Sequence, residues 1–107
     1  MSLPARLLPL CAAAAGVLLP ASAPAAAATH VVVIDKMKFG AVPALKVGDV
    51  VTFVNKDMFR HTVTATDGRF NLDLPAGKSG SVRVNSAGSA AFFCKYHPGM
   101  RGRMVTE

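Results

Sequence analysis

The run Cys94-Lys95-Tyr96-His97-Pro98-Gly99-Met100 places a thiol, an imidazole and a thioether at intervals of three residues. A second imidazole, His61, lies well upstream in a stretch rich in β-branched residues. Two imidazoles, one thiolate and a weak thioether form the donor set of a trigonal blue-copper electron-transfer centre. Soft sulfur and imidazole donors suit copper in both oxidation states, and a distant thioether favours Cu(I) enough to tune a potential. Electron transfer also demands a coordination shell that hardly moves between the two states. One donor on a strand and three on a single tight loop meet that demand when a rigid sheet carries both. Residues 90–93 lead into Cys94 as an apolar strand, and Pro98-Gly99 tightens the turn that brings Met100 back.

The elements that must hold these donors are short and β-like. Residues 29–35 are rich in valine and isoleucine, residues 44–47 form a brief run, and Gly48-Asp49 turns the chain into residues 50–55. Residues 60–66 alternate β-branched side chains with others, and Asp67-Gly68 is a hairpin signal. Pro75-Ala76-Gly77 breaks the following stretch. Residues 81–85, 90–96 and 100–106 then read as further strands. About seven short strands with turns at such spacing predict an antiparallel sandwich or barrel, with no persuasive helical period after residue 28. The alternation puts Val82 and Val84 inside, along with Val51 and Phe53 or their neighbours.

The first residues read as a secretory signal peptide: Arg6 supplies the positive start, residues 7–19 the apolar stretch and residues 20–28 a small-residue end. Cleavage after Ala28 satisfies the small-x-small rule through Ala26 and Ala28, and cleavage after Ala27 does so nearly as well. The stretch is too short and too alanine-rich at its end to be a membrane span, one arginine makes no twin-arginine signal, and Leu10 argues against lipidation of Cys11. The expected organisation is therefore a signal peptide over 1–28 and one domain over 29–107, exported to the periplasm. So small a domain gains from a bound metal.

Cys11 leaves with the leader, so Cys94 becomes a single thiol in an oxidising compartment, where metal ligation is its natural occupation. The chain carries a formal charge of +6, which falls to about +5 with the loss of Arg6. That surplus suits acidic partners or anionic lipid. Nucleic acid is not expected of an exported chain without a recognition motif.

The segment Phe93-Cys94-Lys95-Tyr96-His97-Pro98-Gly99-Met100-Arg101-Gly102 resembles the ligand loop of the plastocyanin/azurin family of cupredoxins, and its short spacing is most similar to amicyanin. Val47-Gly48-Asp49-Val50-Val51-Thr52-Phe53-Val54-Asn55, followed by His61-Thr62-Val63, resembles the family's earlier strands and first histidine. The resemblance implies a Greek-key antiparallel β-sandwich of about seven to eight strands holding one copper ion. It implies His61 as the buried equatorial ligand, Cys94 as the thiolate, His97 as the ligand at the solvent edge and Met100 as the axial one. Where the family often has Asn after the first histidine, Thr62 stands here. The segment between His61 and Cys94 is short for the family.

The implied function is a monomeric periplasmic carrier of single electrons, cycling Cu(II)/Cu(I) with a redox partner protein that is acidic if Lys95, Arg60, Arg101 and Arg103 dock it. The alternative is a copper carrier that delivers the ion to another protein. An enzyme is not expected: a substrate-binding copper would need further histidines, and besides His61 and His97 there is only His30. Structural zinc suits Met100 poorly. For Met37, Met58 and Met104 the plain reading is packing, although Met58 and Phe59 with Pro98 would also make an apolar patch around His97. If the mature chain starts Ala28-Thr29-His30, amine and imidazole could form a square-planar Cu(II) site; a strand start is the plainer role for His30. The backbone and Asn55 are the candidates to hold the second ring nitrogen of His61.

Overall fold

In the strand Val50–Asn55 every second residue, Val51, Phe53 and Asn55, is fully enclosed, while Val50, Thr52 and Val54 are partly exposed. That two-residue rhythm is what a pleated strand with one buried face requires, and it recurs along the chain. The computed structural model describes Gly16 and residues 26–107; the segment read as a signal peptide otherwise lies outside the described residues. The strands are β1 (Thr29–Asp35), β2 (Lys38–Phe39), β3 (Val50–Asn55), β4 (His61–Ala65), β5 (Asn71–Leu74), β6 (Ser79–Arg83), β7 (Gly88–Phe93) and β8 (Arg101–Thr106). They form two four-stranded sheets, ordered β2-β1-β3-β6 and β5-β4-β7-β8. Among the described residues there is no helix long and apolar enough to cross a membrane.

The expected all-β sandwich is present, with one pair of strands that departs from antiparallel pairing. β1 and β3 run parallel, in register from Thr29 opposite Val50 to Ile34 opposite Asn55. A parallel pair needs a long crossover, and residues 36–49 supply it. This connection visits the other sheet, where Leu45 bridges Thr106 of β8 and donates its N–H to the Val105 carbonyl. The run 44–47 is therefore a single bridge rather than a strand. Its tip after β1 bends at Lys36 and Met37, both at positive φ (51° and 61°) without glycine. That bend allows the two-residue strand β2, which the composition did not announce.

The sheets close on Val32, Ile34, Val51 and Phe53 from one side and Val63, Leu74, Phe92 and Met104 from the other. Phe92 is the hub: Phe39, Phe53 and Phe70 surround it with ring centroids 4.9, 5.6 and 6.4 Å away. Gly102 lies beneath this hub, and a Cβ there would come within 2.3 Å of the Phe92 ring. Val51 and Phe53 are enclosed as expected and Val84 is nearly so, whereas Val82 is partly exposed. β6 begins two residues earlier than the alternation suggested, because Gly80 lets it pass close over Leu72 and Leu74 of β5.

Candidate metal centre

Cys94 follows β7 directly and is fully buried, so its sulfur is held by a strand that packs on both sides. The loop after it closes on itself: the Met100 N–H donates to the His97 carbonyl at 2.8 Å, and the Cys94 N–H donates to the Met100 carbonyl at 3.1 Å. These two bonds turn the three-residue spacing into a ring of chain that brings the His97 imidazole to within 3.7 Å (Nδ1) of Cys94 Sγ. His61, the first residue of β4, is fully buried and approaches from the neighbouring strand, with Nδ1 3.8 Å from the same sulfur.

The donor atoms of His61, Cys94 and His97 all lie within 4.8 Å of one another. With metal–nitrogen bonds of about 2.0 Å and metal–sulfur bonds of about 2.3 Å, separations of 3.7 and 3.8 Å subtend about 120° at an ion between them. The three donors therefore fit a trigonal metal ion. Met100, the fourth residue singled out from the sequence, is buried at the end of the loop and tied to the other donors through its backbone.

Several groups hold the donors in place. Asp57 Oδ2 accepts from His61 Nε2 at 2.9 Å, which puts the proton on Nε2 and leaves the Nδ1 lone pair facing the sulfur. The same oxygen accepts the Met37 N–H at 3.0 Å, so the left-handed tip between β1 and β2 braces the carboxylate. The His61 imidazole and the Met37 and Met58 N–H groups hold the Asp57 carboxyl below the ordinary carboxylate range, against the opposing effect of burial.

Asn55 does not bond His61 itself but works one step further out. Its Nδ2 donates to the Phe59 and Leu74 carbonyls, and its Oδ1 accepts the Asp57 N–H. Asp57 is the functional residue that the sequence reading missed; the only signal was a carboxylate four positions before a histidine. At Cys94, burial pushes the thiol up. The Thr62 N–H, the two imidazoles and the His97 N–H together outweigh it and bring the group down to about 6.

Thr62 ties the loop to the sheet. Thr64 Oγ1 donates to Asn71 Oδ1 at 2.7 Å, so it accepts from the Thr62 hydroxyl at 2.9 Å, and Thr62 Oγ1 accepts the Lys95 N–H at 2.8 Å. A directed chain of hydrogen bonds thus runs from the loop beside Cys94 across β4 to β5.

No protein-family model matches the chain. Amicyanin from Paracoccus denitrificans is 36% identical over 102 residues, covering 83% of this chain and 77% of that protein. Amicyanin from Paracoccus versutus is 33% identical over 84 residues, 72% of this chain, and the match spans 64% of that relative's length. The crystal structure of Paracoccus versutus amicyanin superposes with a TM-score of 0.61 at 32% identity, covering 81% of this chain and 87% of that one. The chain belongs to the amicyanin family of cupredoxins.

In this amicyanin-family chain His97 is the donor nearest solvent, and its surroundings are apolar. Met58 is 79% exposed, Phe59 is half exposed with its ring 6.4 Å from that of His97, and Pro98 is exposed beside it. Arg101 and Arg103 point to solvent on one side of β8, as their alternation with Gly102 and Met104 implied. Arg101 Nε donates to the Pro98 carbonyl at 3.2 Å and Arg103 to Ser89 Oγ. Arg60 pairs with Asp73 instead. Met104 belongs to the core, and Met37, partly buried, packs against that core. His30 does not approach the three donors: it lies in β1, its Nε2 2.9 Å from Asp49 Oδ2.

Proposed function

We propose that this chain is a periplasmic type 1 blue copper protein that carries single electrons, with His61, Cys94, His97 and Met100 holding one copper ion. As a member of the amicyanin family it is an electron-transfer protein and not an enzyme. The observation that carries the reading is the triangle of one low-pKa thiol and two imidazoles whose separations leave room for a trigonal ion. Copper, when bound, supplies a Cu(II)/Cu(I) couple whose potential responds to the axial donor and to hydrogen bonding at the thiolate.

The residues do the rest. His61 and Cys94 are enclosed, His61 bonded to Asp57 and the Cys94 sulfur to the Thr62 N–H of β4, so their donor atoms stay put whichever charge the centre carries. Electrostatic reorganisation stays small because Asp57, Thr62 and the Asn55-ordered loop are already aligned. Of the three clustered donors only His97 approaches the surface, with the Phe59 ring 6.4 Å from its own and Pro98 next to it in the chain, so a partner's redox group comes nearest there. The basic residues Lys95, Arg101 and Arg103 near this rim suit an acidic partner, and the protein acts as a monomer released from its N-terminal signal peptide by cleavage.

The test is to add Cu(II) to the purified mature domain. An intense blue absorption, a narrow copper hyperfine splitting and reversible one-electron reduction are expected, all lost in Cys94→Ser. Release of Cu(I) to an acceptor protein on mixing, without reversible electron exchange, would establish the copper-delivery role instead.

A further inference from the structure

At the pole of the sandwich opposite the metal centre, Asp49 is a buried carboxylate that the electron-transfer reading leaves without a task. Its Oδ2 takes the Lys46 N–H at 3.0 Å and the His30 imidazole at 2.9 Å. Its Oδ1 takes the backbone N–H of Ala28 at 3.0 Å. The Ala28 carbonyl is engaged too, accepting the Val50 N–H at 2.9 Å in the first rung of the β1–β3 ladder. Ala26 and Ala27 are exposed and hydrogen-bond to no other described residue. The fold thus begins at the nitrogen of Ala28.

We infer that the leader is removed after Ala27 and that Asp49 is the receptor for the new α-ammonium group of Ala28. This inference rests on the reading of residues 1–28 as a signal peptide. Both neighbouring bonds satisfy the small-residue rule, since Ala25 and Ala27 flank one site as Ala26 and Ala28 flank the other. They differ in what the fold does with them. The bond after Ala28 lies inside the ladder, and cutting it would take the acceptor from Val50 N–H and the donor from Asp49 Oδ1. The bond after Ala27 lies one atom outside the last hydrogen bond, so it stays reachable while the domain folds.

Hydrolysis there also improves the contact: a neutral amide donor becomes a cation facing a carboxylate already held ionised, and charge-assisted hydrogen bonds are shorter and stronger than neutral ones. Maturation would then tighten the end of β1 through which the parallel pair is seated. It would also keep the Ala28-Thr29-His30 amine and imidazole both on Asp49, away from Cu(II).

The experiment is to export the full chain in a bacterial host and to measure the intact mass and N-terminal residue of the mature protein. A start at Ala28 is expected. A start at Thr29, or at a residue of the small-residue stretch 20–27, overturns the inference and leaves the signal-peptide reading standing. An uncut chain beginning at Met1 overturns the signal-peptide reading and this inference with it. Selective acetylation of the α-amine then tests the docking. It should lower the melting temperature by several degrees in protein starting at Ala28. It should have no effect in protein engineered to start at Ala26, whose amine is two residues away from Asp49. Equal effects in both overturn the docking.

Discussion

Replacing Thr62 by valine keeps a β-branched side chain of nearly the same shape in β4 and deletes only the hydroxyl. Two bonds go with it. The Lys95 N–H loses its acceptor at 2.8 Å, and Thr64 Oγ1 loses its donor at 2.9 Å. A buried donor left without a partner costs about 1–3 kcal/mol, and an ordinary hydrogen bond contributes about 1 kcal/mol. Lys95 is itself exposed, so its N–H recovers part of the loss from water and the lower end applies. The valine methyl returns some fraction of a kcal/mol, which leaves a net cost of about 1.5 kcal/mol. For a domain of this size that lowers the melting temperature by about 10 °C. Metal-free protein is the form to melt, because copper would add binding free energy to the folded state. Hydrogen exchange at the Lys95 amide reads the lost bond directly: it should be protected in the parent and in Thr62→Ser, and fast in Thr62→Val. Thr62→Val protein that melts within about 2 °C of the parent, with the Lys95 amide still protected, would show that the hydroxyl chain does not hold the loop.

Asp57→Asn keeps a group that can accept from His61 Nε2 but removes a negative charge from beside the metal centre. The reduction potential of the copper form should rise, measured by voltammetry against Asp57→Glu, because the cationic Cu(II) state loses more from that neutralisation than Cu(I) does. Gly102→Ala drives a methyl into Phe92, whose ring is locked among Phe39, Phe53 and Phe70. Overpacking of this kind costs about 1–3 kcal/mol or more, so the midpoint of chemical denaturation should fall with an unchanged slope. Asp49, held down to about 2 by the Ala28 and Lys46 N–H groups and His30, stabilises the fold above the ordinary carboxylate value of 3.8 and loses that contribution as pH falls towards 2. Asp49→Asn should therefore melt well below the parent at pH 7, and the gap should close by pH 2; a gap of equal size at both pH values would rule out this linkage.

The amino-acid order alone determined the material of the centre and the class of the fold. Cys94, His97 and Met100 sit three apart on one turn, and such a spacing can be read without coordinates because the loop is closed by local bonds between its own ends. The strands were legible for a similar reason: alternation along β3 and β8 is a property of neighbouring residues, and burial of one face follows from it. Apart from His61, which the family resemblance already set beside the loop, contacts between residues far apart in the chain waited for the fold. The parallel seating of β1 on β3 follows from a crossover that threads Leu45 past Thr106. Asp57 becomes the partner of His61 only because Asn55 and the Met37 N–H turn its carboxylate inward. Thr62 reaches Lys95 across 33 positions, and Asp49 meets Ala28 across 21. Hydrogen bonds of that reach depend on the register between strands, and register is settled by packing of the whole core.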